Sequence, residues 1–157
     1  MKKDKILNDT YFMKLALQEA HKALEAGEIP IGAVITCNET IIARSYNQVE
    51  MLNDPTAHAE MLAITAASHH LGSKFLDKCT LYVTVEPCPM CAGALFWARI
   101  GCVVFGTKDE KRGYLKHHPE ILHPRTKIKQ GVLENEAKKL IDSFFNTKRK
   151  NDNNRPV

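Results

Sequence analysis

His58-Ala59-Glu60 and, further along, Pro87-Cys88-Pro89-Met90-Cys91 bring together an imidazole, a carboxylate and two sulfurs. These residue types hold a transition metal and move protons beside it. Both groups stand at the start of a segment whose pattern predicts a helix. Cysteines spaced Cys-x-x-Cys in a first helical turn project from neighbouring positions, so one ion can take both sulfurs without distorting the backbone. Pro89 suits that turn because no amide hydrogen is needed there. The positive end of a helix also favours the thiolate, the form that binds zinc. A third ligand from His58 gives two sulfurs and one nitrogen, the catalytic zinc pattern that leaves a fourth position open for water. Such a water reaches a pKa of ~7. Glu60 is too near His58 in sequence to share the ion conveniently from one helix, and its expected role is proton shuttle, between the attacking water and a substrate nitrogen and departing amine. The reaction class these residues suggest is hydrolytic deamination.

A Cys-x-x-Cys pair alone also fits a redox couple, or half of a closed structural zinc site with Cys37, Cys79 or Cys102 as a further ligand. Those three cysteines lack paired spacing and sit in or beside apolar strands, where buried free cysteine is common. The two half-motifs occurring together, in order, at two helix starts favour the catalytic reading.

The elements that must position these residues are legible in outline. The chain has 157 residues, 44% hydrophobic and 25% charged, the proportions of a soluble globular domain, and a single domain over residues 1–150 is expected. Periodicity predicts a helix from Tyr11 to Ala26, with Asp9 or Thr10 as its cap and Gly27 at its end. Ile31–Thr36 and Thr40–Tyr46 read as an antiparallel hairpin turned by Cys37-Asn38-Glu39. Then follow a helix over Ala57–His70 ended by Gly72, a strand over Thr80–Val85, a helix over Cys88–Arg99 and a strand over Cys102–Phe105. Arg125–Gln130 reads as a short edge strand, and Leu133–Lys150 as a helix whose apolar face includes Ala137, Leu140, Phe144 and Phe145. Residues 151–157 read as a disordered tail. The sum is an α/β fold, a mixed five-stranded sheet with an antiparallel opening hairpin and helices covering it.

No stretch approaches the ~18 apolar residues that span a bilayer, and the N-terminus lacks the apolar core of a secretory signal, so no membrane partner and a cytoplasmic location are expected. In that compartment the five cysteines are not expected to form structural disulfides. The net charge of +4 suits a phosphate-bearing partner without requiring one, and Lys2, Lys3, Lys5 and Lys148, Arg149, Lys150 make both ends basic.

The paired motifs resemble those of the zinc-dependent cytidine and deoxycytidylate deaminase superfamily. The likeness is narrowest to its bacterial tRNA adenosine deaminase branch and runs from about Phe12 to about Arg149. It is carried also by Gly27-Glu28-Ile29-Pro30-Ile31-Gly32-Ala33, by Asn47, by Thr80-Leu81-Tyr82-Val83-Thr84-Val85-Glu86 ahead of the cysteines, and by Val104-Phe105-Gly106. The resemblance implies a three-layer α/β/α cytidine deaminase-like fold and a homodimer with one zinc per subunit on His58, Cys88 and Cys91. It implies Glu60 as the catalytic proton donor, and conversion of the wobble adenosine to inosine in a tRNA anticodon stem-loop. By the same matching Asn47 holds the purine edge, the Ala59 backbone helps fix the base, Asp109 lies at the RNA-facing rim, and Phe145 and Arg149 reach the anticodon loop.

Phe96-Trp97-Ala98 with Pro89-Met90 is also similar to guanine deaminases, so deamination of a free base or nucleoside is the rival enzymatic reading. A silent RNA-binding or zinc-stabilised module is the rival of another class; intact Glu60 argues against it, since a structural zinc site needs no carboxylate beside an open position. Trp97 reads as a core or interface residue, and the Lys/His-rich loop 111–124 as either a phosphate contact or solvated surface.

Overall fold

The computed structural model describes residues 8–155; Lys2, Lys3 and Lys5 and the end of the expected tail, Pro156 and Val157, lie outside them. The first helix, α1 (Asp9–Glu25), starts earlier than the periodicity implied because Asn8 caps it, its Oδ1 accepting the Tyr11 amide hydrogen at 3.0 Å. Asp9, expected as a cap, instead accepts from the Tyr82 hydroxyl and the Lys129 ammonium, each at 2.9 Å, and so ties the helix start to the sheet.

The hairpin strands are β1 (Gly32–Cys37) and β2 (Thr40–Tyr46), joined through Asn38 and Glu39, both at positive φ as a tight hairpin turn requires. After them come α2 (Val49–Leu52), α3 (Ala59–Leu71), β3 (Cys79–Val85), α4 (Pro89–Trp97), β4 (Cys102–Thr107), α5 (Tyr114–His117), β5 (Lys127–Gln130) and α6 (Glu134–Asn153). The short helices α2 and α5 were not expected, and both are held by carboxylates distant in sequence. Glu28 accepts the amides of Glu50 and Met51 at 3.1 and 2.7 Å, and Glu86 accepts that of Leu115 at 3.1 Å. The last helix passes its expected end at Lys150 and runs to Asn153, so residues 151–153, expected in the disordered tail, form its final turn. A helix once nucleated propagates until a breaker, and after Leu133 the first proline is Pro156.

The sheet order is β2-β1-β3-β4-β5. β1 is antiparallel to both β2 and β3, while β3, β4 and β5 are mutually parallel. Alternation along the strands divides the core in two. Ala33, Ile35, Leu81, Val83, Val103 and Phe105 face α3 and α4, packing on Ala59, Ala63, Ala92 and Leu95. Val34, Tyr82 and Val104 face the other way, onto Phe12, Met13 and Ala16 of α1 and the approach to α6. The result is the three-layer α/β/α arrangement. α1 lies so close to β1 that a Cβ on Gly32 would strike the Ala16 carbonyl and the Ala20 amide, which is why that strand opens with glycine. Among the described residues no helix is long and apolar enough to cross a membrane.

Since β2, β3 and β4 all run in the same direction, their C-terminal ends deliver Asn47, the Glu86-Pro87-Cys88 turn and the loop 108–113 to a single edge of the sheet.

Candidate metal centre and substrate cleft

His58 and Cys88 occupy the same structural position in their two helices. Each is the N-cap, in extended backbone at φ −70° and −72°, immediately before α3 and α4 respectively. Neither was expected to stand outside its helix, since the sequence pattern had started these helices at Ala57 and Cys88. Cys91 follows in the first turn of α4 and Glu60 in the first turn of α3. The positive ends of two helices therefore meet at one point. There the His58 Nδ1 lies 3.6 Å from the Cys88 Sγ and 3.5 Å from the Cys91 Sγ. All three potential ligand atoms fall within 4.8 Å of one another.

The electrostatics match the donor set. A hydrogen bond from the Cys91 thiol holds Cys88 down at about 4, with His58 assisting against the cost of burial. The same bond, with burial, pushes Cys91 upward, and the Cys88 sulfur raises His58. These shifts favour the thiolate at Cys88, next to an imidazole whose proton is held more firmly than usual and a thiol that a metal would deprotonate. Two sulfurs and one imidazole at these separations suit zinc and leave one coordination position unclaimed by protein. Cys37, Cys79 and Cys102 do not join the group, so among the described residues the further cysteine that a closed structural site would need is not at hand.

Glu60 is 3% exposed, and burial pushes its carboxyl up to about 7, with the neighbouring Cys88 adding to the effect. A carboxyl balanced near neutrality can both accept and return a proton. Ala59, between His58 and Glu60, is the first residue of α3, so its amide hydrogen has no acceptor within the helix, while its carbonyl accepts from the Ser45 hydroxyl at 2.6 Å.

His58 forms part of the wall of a cleft of about 880 Å³, together with Asn47, Glu28, Arg112, Phe144 and Lys148. Asn47 is 4% exposed, yet among the described residues its carboxamide has no hydrogen-bond partner, so its polar end is available to whatever occupies the cleft.

The other residues implied by the resemblance lie elsewhere. The Asp109 carboxylate accepts the amides of Lys111 and Arg112 at 3.1 and 3.0 Å, ordering its own turn. Phe145 is 39% exposed and packs edge-on against Phe144, and the Arg149 guanidinium donates to Asn146 Oδ1 at 2.8 Å. The α6 residues that line the cleft are Phe144 and Lys148, one helical step of four apart, and Phe145 and Arg149 form the adjacent stripe, rotated by about 100°. Sequence reasoning also passed over Arg112 and Lys148 as site residues; the only signal was the basic character of their segments.

The fold and the donor set define the class: a zinc-binding hydrolytic deaminase. The model of the cytidine and deoxycytidylate deaminase zinc-binding region matches residues 7–107. A tRNA-specific adenosine deaminase of Aquifex aeolicus is 46% identical over 147 residues, covering 90% of this chain and 96% of the relative. A solved structure from work on A-to-I editing by tRNA:A34 deaminases superimposes with a TM-score of 0.78 at 41% identity, over 83% of this chain and 99% of its own. A guanine deaminase from Bacillus subtilis is 47% identical, with a TM-score of 0.62, over 64% of this chain and 65% of its own. The chain belongs to the cytidine and deoxycytidylate deaminase family, and within it to the tRNA-specific adenosine deaminases.

Proposed function

We propose that this protein converts the wobble adenosine of a tRNA anticodon loop to inosine, acting in the cytoplasm as a homodimer with one zinc per subunit on His58, Cys88 and Cys91. The observation that carries the reading is the buried Glu60 carboxyl beside those three ligand atoms, at a cleft that Asn47 lines with an unengaged amide. Zinc bound there supplies an activated water near neutral pH. Glu60 removes a proton from the attacking water, places it on the ring nitrogen next to C6, and passes the second to the amino group, which departs as ammonia. Water is consumed and inosine formed, without any other reactant. Asn47 holds the purine edge and the Ala59 amide hydrogen fixes the base. Phe144 and Lys148 border the base site, while Phe145 and Arg149, one stripe further round α6, meet flanking nucleotides, and Asp109 acts at the rim by shaping the turn that carries Arg112.

An anticodon loop suits such a site because its bases are already unstacked, so no duplex has to be opened. For the dimer, the supporting feature is an apolar surface around α4, where Trp97 is 77% exposed and Met90 37%. The guanine deaminase likeness keeps one second reading, turnover of a free purine base on the same metal and carboxylate. The deciding experiment incubates zinc-loaded protein with an anticodon stem-loop carrying adenosine at the wobble position, alongside free guanine and nucleosides, with mass-resolved products. Inosine confined to the RNA is the expected result; guanine conversion with untouched RNA assigns the free-base reaction.

A further inference from the structure

Both ends of the loop between β4 and α5, Thr107 closing β4 and Tyr114 and Leu115 opening α5, are tied to the turn that leads into the metal ligands. Three hydrogen bonds join them: the Glu86 amide to the Thr107 carbonyl at 2.8 Å, the Tyr114 amide to the Pro87 carbonyl at 3.0 Å, and the Leu115 amide to Glu86 Oε2 at 3.1 Å. Glu86 is buried and lies directly against Gly113, where any Cβ would strike its carboxylate and the Asp109 carbonyl. Asp109 braces the same turn from within, through the amides of Lys111 and Arg112 and, with its carbonyl, that of Gly113 at 2.9 Å. At the apex of this rigid turn is Arg112.

Arg112 lines the cleft that holds His58 and Asn47, and so does Lys148 from α6. Among the described residues neither cationic group has a carboxylate partner. Two of the cleft's three carboxylates are engaged elsewhere, Glu28 in holding α2 and Asp152 facing Arg155 at 4.0 Å, while Glu50 is exposed on α2. Two cations without carboxylate partners, from separate elements lining one cleft, match a phosphodiester, and a free base offers no such group.

We propose that Arg112 and Lys148 form a subsite for a backbone phosphate next to the target nucleotide, and that Glu86 is the positioning residue that holds Arg112 there. The inference rests on the RNA reading above and adds what distinguishes RNA from a free base. Holding the phosphate fixes the register of the strand, so the adenosine enters over Glu60 instead of a neighbour.

The test uses zinc-loaded full-length protein and the same anticodon stem-loop. Arg112 is exposed, so Arg112→Ala folds; it raises KM about tenfold with a much smaller change in kcat, and Arg112→Lys recovers part of the loss. Glu86→Ala raises KM in the same way at unchanged zinc content, and adds little to Arg112→Ala in the double variant, because both act through one contact. Glu86→Gln, which keeps an acceptor for the Leu115 amide, recovers most of the loss. If Glu86→Ala fails to fold, Glu86→Asp, whose shorter side chain withdraws the carboxylate from the Leu115 amide, takes its place in the coupling measurement with Arg112→Ala. RNA binding is read separately on a Glu60→Ala background, where Arg112→Ala lowers the salt slope by about 0.7 to 0.9. An unchanged KM or salt slope in the Arg112 variants overturns the subsite, and additive effects overturn the role of Glu86. A wild-type protein that binds the stem-loop with the expected slope yet leaves its adenosine unconverted overturns only the proposed reaction.

Discussion

The His58 Nδ1 and the Cys88 Sγ stand 3.6 Å apart although thirty positions separate the two residues in the chain. Each closes the N-terminus of a different helix, so the distance between them is set by how α3 and α4 pack on one face of the sheet. The candidate metal centre is therefore a property of the folded layer, and a metal held there would stabilise the fold that builds it.

From this coupling, added zinc raises the melting temperature of the metal-free protein, by an amount that grows with the logarithm of zinc activity. Cys88→Ser removes the sulfur whose surroundings favour the thiolate and is expected to abolish both the response and the bound metal. Thermal scans against zinc concentration, with metal analysis of the dialysed variant, check this.

Glu60→Gln separates chemistry from assembly. Its zinc content stays that of the wild type, while turnover on the stem-loop falls by about 10²- to 10⁴-fold, the range a positioned acid–base group contributes. Wild-type turnover in this variant would assign the proton transfers to another group.

The same carboxyl gives the metal-free protein an unusual pH dependence. Burial raises Glu60 from 4.5 to about 7, so the folded chain binds that proton more tightly than the unfolded chain. The stabilisation is complete below pH 4.5 and is lost as the pH rises through about 7. Wild-type metal-free protein should then lose stability relative to Glu60→Gln across that window, measured as a widening gap between their melting temperatures. His58, Cys88 and Cys91 are common to both proteins, which makes the difference specific to Glu60.

Tyr114 is wholly buried in the core beneath α4, and among the described residues its hydroxyl has no hydrogen-bond partner. An orphaned buried hydroxyl costs ~1–3 kcal/mol, so Tyr114→Phe is expected to stabilise the protein by up to that amount. At this chain length each kcal/mol appears as about 2–4 °C in the melting temperature.

Trp97→Glu places a charge in the exposed apolar surface of α4. Light scattering should report a dimer for the wild type and a monomer for the variant, because a buried unpaired carboxylate is not tolerated in an apolar interface. A monomeric wild type would remove the homodimer from the proposal.

The hairpin, the two motif helices and the sheet were legible because each is written locally, in β-branched runs, in Gly72 after α3 and in Pro89 at the start of α4. Residues that act across distance were not. Glu28 and Glu86 build α2 and α5 through side chains more than twenty positions away, and no window of sequence displays that. The α6 face is the clearest case. Phe144, Phe145, Lys148 and Arg149 were all visible as aromatic and basic residues, but which stripe enters the cleft depends on the phase at which the helix docks. That phase is fixed where the chain turns through Leu133 at φ +53° and Ala137 settles against Gly106.

The order of these pieces along the chain gives the molecule a direction in time. The metal-binding residues and the strands beneath them all precede α6, which supplies Phe144 and Lys148 to the cleft. On a ribosome, His58, Cys88 and Cys91 therefore emerge before α6, and because a domain folds as a unit the cleft takes shape only once that last helix has been made.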